Sequence, residues 1–189
     1  MKKNWIFSTL LVAFISFSAT SFAQMNDGTT MVGGETMYPK KDIVDNAVNS
    51  KEHTTLVAAV KAAGLVETLK SKGPFTVFAP VNDAFENLPA GTVDNLLKPE
   101  NKASLSGVLT YHVIPGKLDF SALSGMIKKG NGKAMVKTVQ GQDLTFMMNG
   151  PHNIMVGDAS GNWANISTYD VYQSNGVINV IDKVLLPKM

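Results

Sequence analysis

The chain reads as an α+β domain, with short helices in its first half and strands in its second. Three observations predict this. Apolar residues recur at helical spacing between about residues 42 and 112, and from Ala134 onward the repeat drops to two residues. Between the helices lies one run, Phe75-Thr76-Val77-Phe78-Ala79, with apolar groups at both parities, the pattern of a strand covered on both faces. Helices grouped ahead of strands around one core specify α+β and not an alternating α/β sheet.

Residues 1–23 stand outside that fold. Lys2 and Lys3 precede an apolar run over residues 5–17, and Ser21-Phe22-Ala23 presents small residues at the spacing a signal peptidase needs. We read residues 1–23 as a cleaved export signal. No later stretch has the length a bilayer requires, so no stable membrane insertion is expected after cleavage. Residues 24–38 hold Gly28, Gly33 and Gly34 among polar residues and scattered methionines without periodicity, and are expected to be a flexible leader. Residues 39–189 are expected to form a single domain.

Asp42 is placed to cap a helix bearing Ile43, Val44, Ala47 and Val48. Thr54 or Thr55 starts a second helix, whose stripe of Leu56, Ala59, Val60 and Ala63 runs until Gly64 supplies a left-handed stop. Leu65, Val66 and Leu69 form a third short turn, and Ser71-Lys72-Gly73-Pro74 breaks into the strand that opens at Phe75. Pro80 ends its ladder, and Asn82 or Asp83 is expected to cap the helix carrying Ala84, Phe85 and Leu88.

After a break at Pro89-Ala90-Gly91, Thr92 is expected to cap a turn bearing Val93, Leu96 and Leu97, and Pro99 suits the first position of the next helix. Along that helix Leu105, Val108, Leu109 and His112 fall at i, i+3, i+4 and i+7. His112 therefore lies on the apolar stripe, or where helix becomes strand. Ala134, Val136 and Thr138, a turn at Gln140-Gly141, then Leu144, Phe146 and Met148 describe half-exposed antiparallel strands. Asn149-Gly150-Pro151 turns the chain, Ile154 and Val156 mark a short strand, and residues 157–162 form a loop. Over residues 164–172 the alternation slips near Thr168 and Asp170, which predicts a bulge. Asn175-Gly176 is a tight-turn signal before a last strand rich in valine and isoleucine.

Three segments, in order, carry a resemblance. They are the stretch GPFTVFAPVNDAF over residues 73–85, the stretch Tyr111-His112-Val113-Ile114-Pro115-Gly116, and NGVINVIDKVLLP over residues 175–187. These resemble the first signature, the Tyr-His segment and the second signature of the fasciclin domain, a family of secreted and cell-surface modules. The likeness covers about residues 38–189. It implies a wedge-shaped β-sandwich with a layer of short helices from the N-terminal half, the two signatures pairing as neighbouring central strands. It also implies partner binding near Tyr111 and His112, and near Ile181 and Asp182, where family adhesion motifs fall. Asn179 stands where relatives often carry His.

Composition narrows the function. Removing residues 1–23 deletes two of the seventeen lysines and none of the fifteen acids, so the remainder has a formal charge of 15 minus 15, or zero. Every basic side chain is lysine, which leaves no guanidinium fork for phosphate or base edges, and no nucleic-acid partner is expected. Without arginine there is no Arg-Gly-Asp tripeptide. Without cysteine there are no disulfides, thiolate metal sites or thiol nucleophiles.

His53, His112 and His152 share no metal-ligand spacing, and no cofactor or metal is expected. Gly157-Asp158-Ala159-Ser160-Gly161 fails the nucleophile-elbow register, and Gly130-Asn131-Gly132-Lys133 fails as a phosphate loop; both read as turns. Asn165-Ile166-Ser167 is a glycosylation sequon by letter, on a strand position where it should be inert. His112 reads as a core histidine with one nitrogen bonded to backbone, while the resemblance makes its segment a recognition element. The expectation is a periplasmic or secreted, monomeric, non-enzymatic adhesion module whose partner is a cell-surface or extracellular protein or polysaccharide. The alternative is a carrier of a small apolar ligand, lipid or metabolite, because ten methionines and nine phenylalanines, Met147-Met148 among them, could line a groove between helices and sheet.

Overall fold

The computed structural model describes residues 28–188, so the expected export signal over residues 1–23 lies outside the described residues. A hairpin of β1 (Thr30–Val32) and β2 (Glu35–Met37) comes first. Three helices follow, α1 (Ile43–Ala47), α2 (Thr54–Ala63) and α3 (Val66–Lys70), then strand β3 (Phe75–Pro80). Next come α4 (Asn82–Glu86), α5 (Thr92–Leu96), α6 (Lys102–Tyr111), β4 (Val113–Pro115) and α7 (Phe120–Lys129). The chain finishes with β5 (Lys133–Lys137), β6 (Asp143–Met148), β7 (Ile154–Gly157), β8 (Trp163–Gln173) and β9 (Gly176–Ile181). This is the expected α+β class.

Seven strands form one mixed sheet in the order β4-β3-β9-β8-β7-β6-β5. The two signature strands are neighbours: β3 runs parallel to β9, in register from Phe75 opposite Gly176 to Pro80 opposite Ile181. Alternation sends their side chains to two cores, as a strand buried on both faces requires. Val77, Ala79, Ile178 and Val180 pack with Leu56, Ala59, Ala63, Leu105 and Leu109 beneath the helical layer. Phe78 and Ile181 face the other way, among Leu144, Phe146, Ile154 and Val156 of the far strands and Leu123 and Ile127 of α7.

The sheet closes on this second core because β8 belongs to both halves. Asn165, Ala164 and Trp163 pair with β7, whereas residues from Ile166 onward pair with β9. The result is a wedge in which the Phe78 and Phe146 rings meet at 5.3 Å between centroids. The predicted slip is present, with register shifts on both sides of Thr168 and Asp170 at φ 58°. Asn179, fully buried on β9, accepts the Asp170 N–H freed by the bulge at 3.2 Å. The Asp170 carboxylate in turn accepts the Phe120 N–H of α7 at 2.8 Å, so the bulge re-aims one side chain to a helix start.

Several local expectations need correction. Asn82 does not cap its own helix: α4 begins after Val81 without a side-chain cap. Instead its Oδ1 accepts the Thr55 N–H at 3.0 Å and its Nδ2 donates to the Lys51 carbonyl, so it caps α2, 27 positions upstream. Thr92 is already helical, with Gly91 at the cap position and no side-chain cap bond. On α1 the inward residue beside Ile43 is Asn46, not Val48, which is 46% exposed. Asn46 accepts from the Tyr38 N–H, donates to the Tyr38 carbonyl and bonds Gln173 Oε1, pairing like a short stretch of backbone.

Helix α7 is an element beyond those expected, although Asp119 accepts the Ala122 N–H as its cap and Leu123 and Ile127 share its buried face. Residues 30–37, expected within an aperiodic leader, form the β1–β2 ladder, and Val32 and Met37 join the first core.

Candidate functional site

The helix α6 terminates at residues that fix one end of the wedge. Tyr111 is fully buried, and its hydroxyl donates to the Asp143 carbonyl at 3.0 Å while accepting the Ala159 N–H at 2.9 Å. One phenol thereby joins the start of β6 to the loop after β7. Burial pushes its pKa up, with Asp158 and Asp143 nearby acting in the same direction.

His112, the C-cap of α6, is 2% exposed. Its Nδ1 lies 2.8 Å from the Val108 carbonyl and must donate, which leaves Nε2 to accept the Leu185 N–H at 2.9 Å. The ring is neutral, and burial depresses its pKa to about 4. One residue further on, the Leu186 N–H donates to Asp158 Oδ2 at 3.0 Å. Asp158 also accepts the Ser160 and Asn162 N–H groups, which accounts for the turn that superficially offered a nucleophile elbow. Gln142 completes the arrangement through reciprocal bonds with the Lys188 backbone at 2.8 and 2.9 Å.

These contacts bring three segments together: the β5–β6 turn, the β7–β8 loop and the C-terminal residues 183–188. Their outer surface includes Met135, Gln142, Asp143, Thr145, Ala159 and Lys188. Met135 is 60% exposed, one of five large apolar side chains exposed among the described residues, and it sits beside backbone held by buried anchors. The backbone beneath this shallow surface is thus fixed by hydrogen bonds from Tyr111, His112, Asp158 and Gln142.

Of the four residues nominated from sequence, Tyr111, His112 and Ile181 are buried and face inward. Asp182 is partly exposed, but both carboxylate oxygens are engaged by Asn165, through its backbone N–H at 2.7 Å and its side-chain amide at 2.9 Å. The same pairing occupies the amide of the sequon. Tyr111 and His112 anchor the surface described above; Asp182 lies at the Asn165 side of β8. The residues that anchor with them, Asp158 and Gln142, were not nominated, and only the fold reveals their partners.

Ser50 Oγ lies 2.8 Å from His53 Nδ1, the spacing of a nucleophile and base. Both are 2–3% exposed, and Gly33 of the β1–β2 turn sits close against Ser50 Oγ, so the pair lies under the hairpin and not in an open cleft. His152 is exposed. Among the described residues no group of three or more His, Asp or Glu side chains is placed to hold a metal ion, and no helix is long and apolar enough to cross a membrane.

An apolar cavity of about 110 Å³ lies elsewhere, between α1, α2 and α3 and the face of β3. Valines, leucines and isoleucines make up most of its lining, with Lys61, Thr68, Thr110 and His112 as the polar members. Met147 and Met148, the pair nominated for such a groove, are on β6 in the other half of the wedge and contribute nothing to it.

The sequence model of the Fasciclin domain matches residues 51–187. The chain belongs to the fasciclin family. This fasciclin domain is 49% identical over 147 residues to Protein sll1483 of Synechocystis sp., covering 78% of this chain and 74% of that one. It is 35% identical over 170 residues to the cell surface glycolipoprotein MPB83 of Mycobacterium bovis, covering 87% of this chain and 68% of the relative. The solved structure of a FAS1 domain pair from the insect cell adhesion molecule fasciclin I superposes with a TM-score of 0.57 at 24% identity. That match covers 75% of this fasciclin domain and 45% of the paired chain, and it establishes the shared fold.

Proposed function

We propose that this fasciclin domain is an exported, non-enzymatic adhesion or interaction module, recognising a cell-surface, matrix or envelope partner from the periplasm or outside the cell. Family membership is the observation that carries the reading: one relative is named as a cell-surface glycolipoprotein, and the fold is that of a named cell adhesion molecule. The partner-facing surface is the one around Met135, Ala159 and Lys188, held rigid from within by Tyr111 and His112. This reading gives the Tyr-His segment a role in recognition without exposing it. Interfaces of modest size suit such a module, and an exposed apolar anchor beside polar groups suits their centre.

The test immobilises protein lacking residues 1–23 and measures binding to envelope and secreted fractions of the producing cells. Met135→Glu is expected to weaken binding about tenfold, the scale of losing one anchor side chain, with its melting midpoint unchanged. Binding that survives Met135→Glu undiminished removes this surface from the proposal. No binding by the wild-type protein at micromolar concentration removes the function.

A further inference from the structure

Protein interiors are packed nearly as densely as organic crystals, so a void larger than a water molecule between a helix layer and a sheet asks for a use. The cavity of about 110 Å³ under α1, α2 and α3 is such a void, of the same order as the ~150 Å³ apolar cavity known to accept benzene. Its wall runs through Ile43, Leu56, Val60, Leu69, Val77 and Ile178. His112 also touches it, yet both ring nitrogens are spent on Val108 and Leu185, so the histidine adds no polar demand to the interior. Of the two threonines in the wall, Thr110 spends its hydroxyl on the Ser106 carbonyl at 2.7 Å and Thr68 is exposed on α3; the rest of the lining apart from Lys61 and His112 is apolar, and hydrocarbon fits it.

The cavity is open at the seam between helices and sheet. Val44, Val57, Val60, Leu65, Val66 and Leu69 are each only partly buried although each lines it, so apolar surface leads from solvent to the void. At that rim stands one charged lining residue, Lys61, exposed at the last turn of α2. No acidic residue lines the cavity, and Lys61 forms no ion pair among the described residues, where the four pairs present use Lys51, Lys70 and Lys137. An apolar slot closed by one unpaired cation is complementary to one chemical class, an alkyl chain ending in an anion.

We propose that this cavity binds a single-chain anionic amphiphile of the fatty-acid class, its alkyl end between the helices and β3 and its carboxylate at Lys61. The site is separate from the surface around Met135, and its occupancy does not depend on the adhesion reading. Lys61 lines the cavity and is itself exposed, and a lysine stem can lie along apolar surface while its ammonium stays in water, so its charge can meet a carboxylate emerging at the rim.

The experiment titrates protein lacking residues 1–23 with decanoate and, separately, with decanol by isothermal calorimetry, following binding also by the chemical shifts of the lining methyl groups. Decanoate is expected to bind with a negative heat-capacity change, the mark of apolar burial. Val60→Phe, which fills the void, is expected to weaken both ligands by about tenfold or more while keeping or raising the melting midpoint. Ala47→Leu fills the same void from α1 and serves should Val60→Phe fail to fold. Lys61→Gln is expected to weaken decanoate about threefold to tenfold and to leave decanol unchanged. Failure of wild-type protein to bind either ligand at millimolar concentration overturns the proposal, as does undiminished binding by folded cavity-filling variants. Equal binding of decanoate by Lys61→Gln overturns the anionic class. Binding of envelope fractions by Met135→Glu and by Val60→Phe separates this proposal from the adhesion reading, since each substitution should affect only its own assay.

Discussion

His112 Nε2 accepts the backbone N–H of Leu185 at 2.9 Å, joining the end of α6 to the C-terminal residues 73 positions later. Among the described residues that ring is the one acceptor bonded to this amide. His112→Ala should therefore cost about 2–4 kcal/mol, an orphaned buried amide together with the space left by the ring. Urea unfolding of the two proteins measures it, and hydrogen exchange should show Leu185 opening first. Attachment should fall only as stability falls. A variant that kept its melting midpoint but lost attachment would show that the ring itself meets the partner.

Acid should destabilise the protein between about pH 6.5 and 4. Burial lowers the pKa of His112 from 6.5 to about 4 and also lowers that of His53. The folded state therefore holds both rings neutral while the unfolded chain takes up protons first as pH falls. Their contribution is fully present above 6.5 and is lost on descent through the window, with His112 alone accounting for about 3 kcal/mol. Asp170, whose carboxyl is pushed up by burial, acts in the opposite sense in the acid range and blunts the effect. Unfolding free energy measured across pH 4 to 7 should rise with pH, and His112→Gln should flatten most of that slope. A profile that is already flat in the wild type would mean that the ring is not held neutral.

Asn175 should be among the most costly polar positions. Its Oδ1 accepts the Ile43 N–H at 3.0 Å, and its Nδ2 donates to the carbonyls of Leu69 at 2.8 Å and Ser71 at 3.0 Å. One amide thus closes the start of α1 and the end of α3 onto the turn before β9. Asn175→Ala is expected to lose about 2–3 kcal/mol, because three backbone groups lose partners in a half-buried site. Asn149→Ala, which removes an exposed bond to Asn165, should stay within about 0.5 kcal/mol. Denaturant midpoints for the two variants that coincided would remove Asn175 from this role.

Much of the fold was legible where the signal is local. Phe75 to Ala79 declared a strand buried on both faces because hydrophobicity at both parities has no other stable placement in a sheet. The break in alternation at Thr168 announced the bulge, and Gly64, at φ 73°, the end of α2. What escaped depends on distant partners. Nothing near Asn82 says that its amide will cap a helix 27 positions earlier, and the short hairpin at residues 30–37 is held by Val32 and Met37 meeting a core formed by later residues. Helix α7 was readable from Asp119, Leu123 and Ile127 but its weak intervening run, Ser121 to Gly125, masked the period. Tyr111 and His112 were found by motif, while their roles as anchors required knowing that Ala159 and Leu185 would arrive beside them.

Two glycines of opposite environment test the packing of the signature strands. A Cβ on Gly176 would drive into the Phe75 carbonyl oxygen and crowd the Ile43 side chain, at the point where β9 enters its parallel ladder with β3. The obstructing atom is backbone, so it cannot rotate away, and relief requires parting two central strands. Gly176→Ala is expected to destabilise by about 3 kcal/mol or more, or to prevent folding, in line with overpacking of a close-packed interior. Gly125, inside α7, has open space where its Cβ would stand and no positive φ. Gly125→Ala should therefore stabilise by about 0.5–1 kcal/mol through helix propensity and the reduced freedom of the unfolded chain. Should Gly176→Ala fold as well as the wild type, β3 and β9 cannot lie in the register that brings Phe75 opposite Gly176, and the central pairing of the wedge would have to be redrawn.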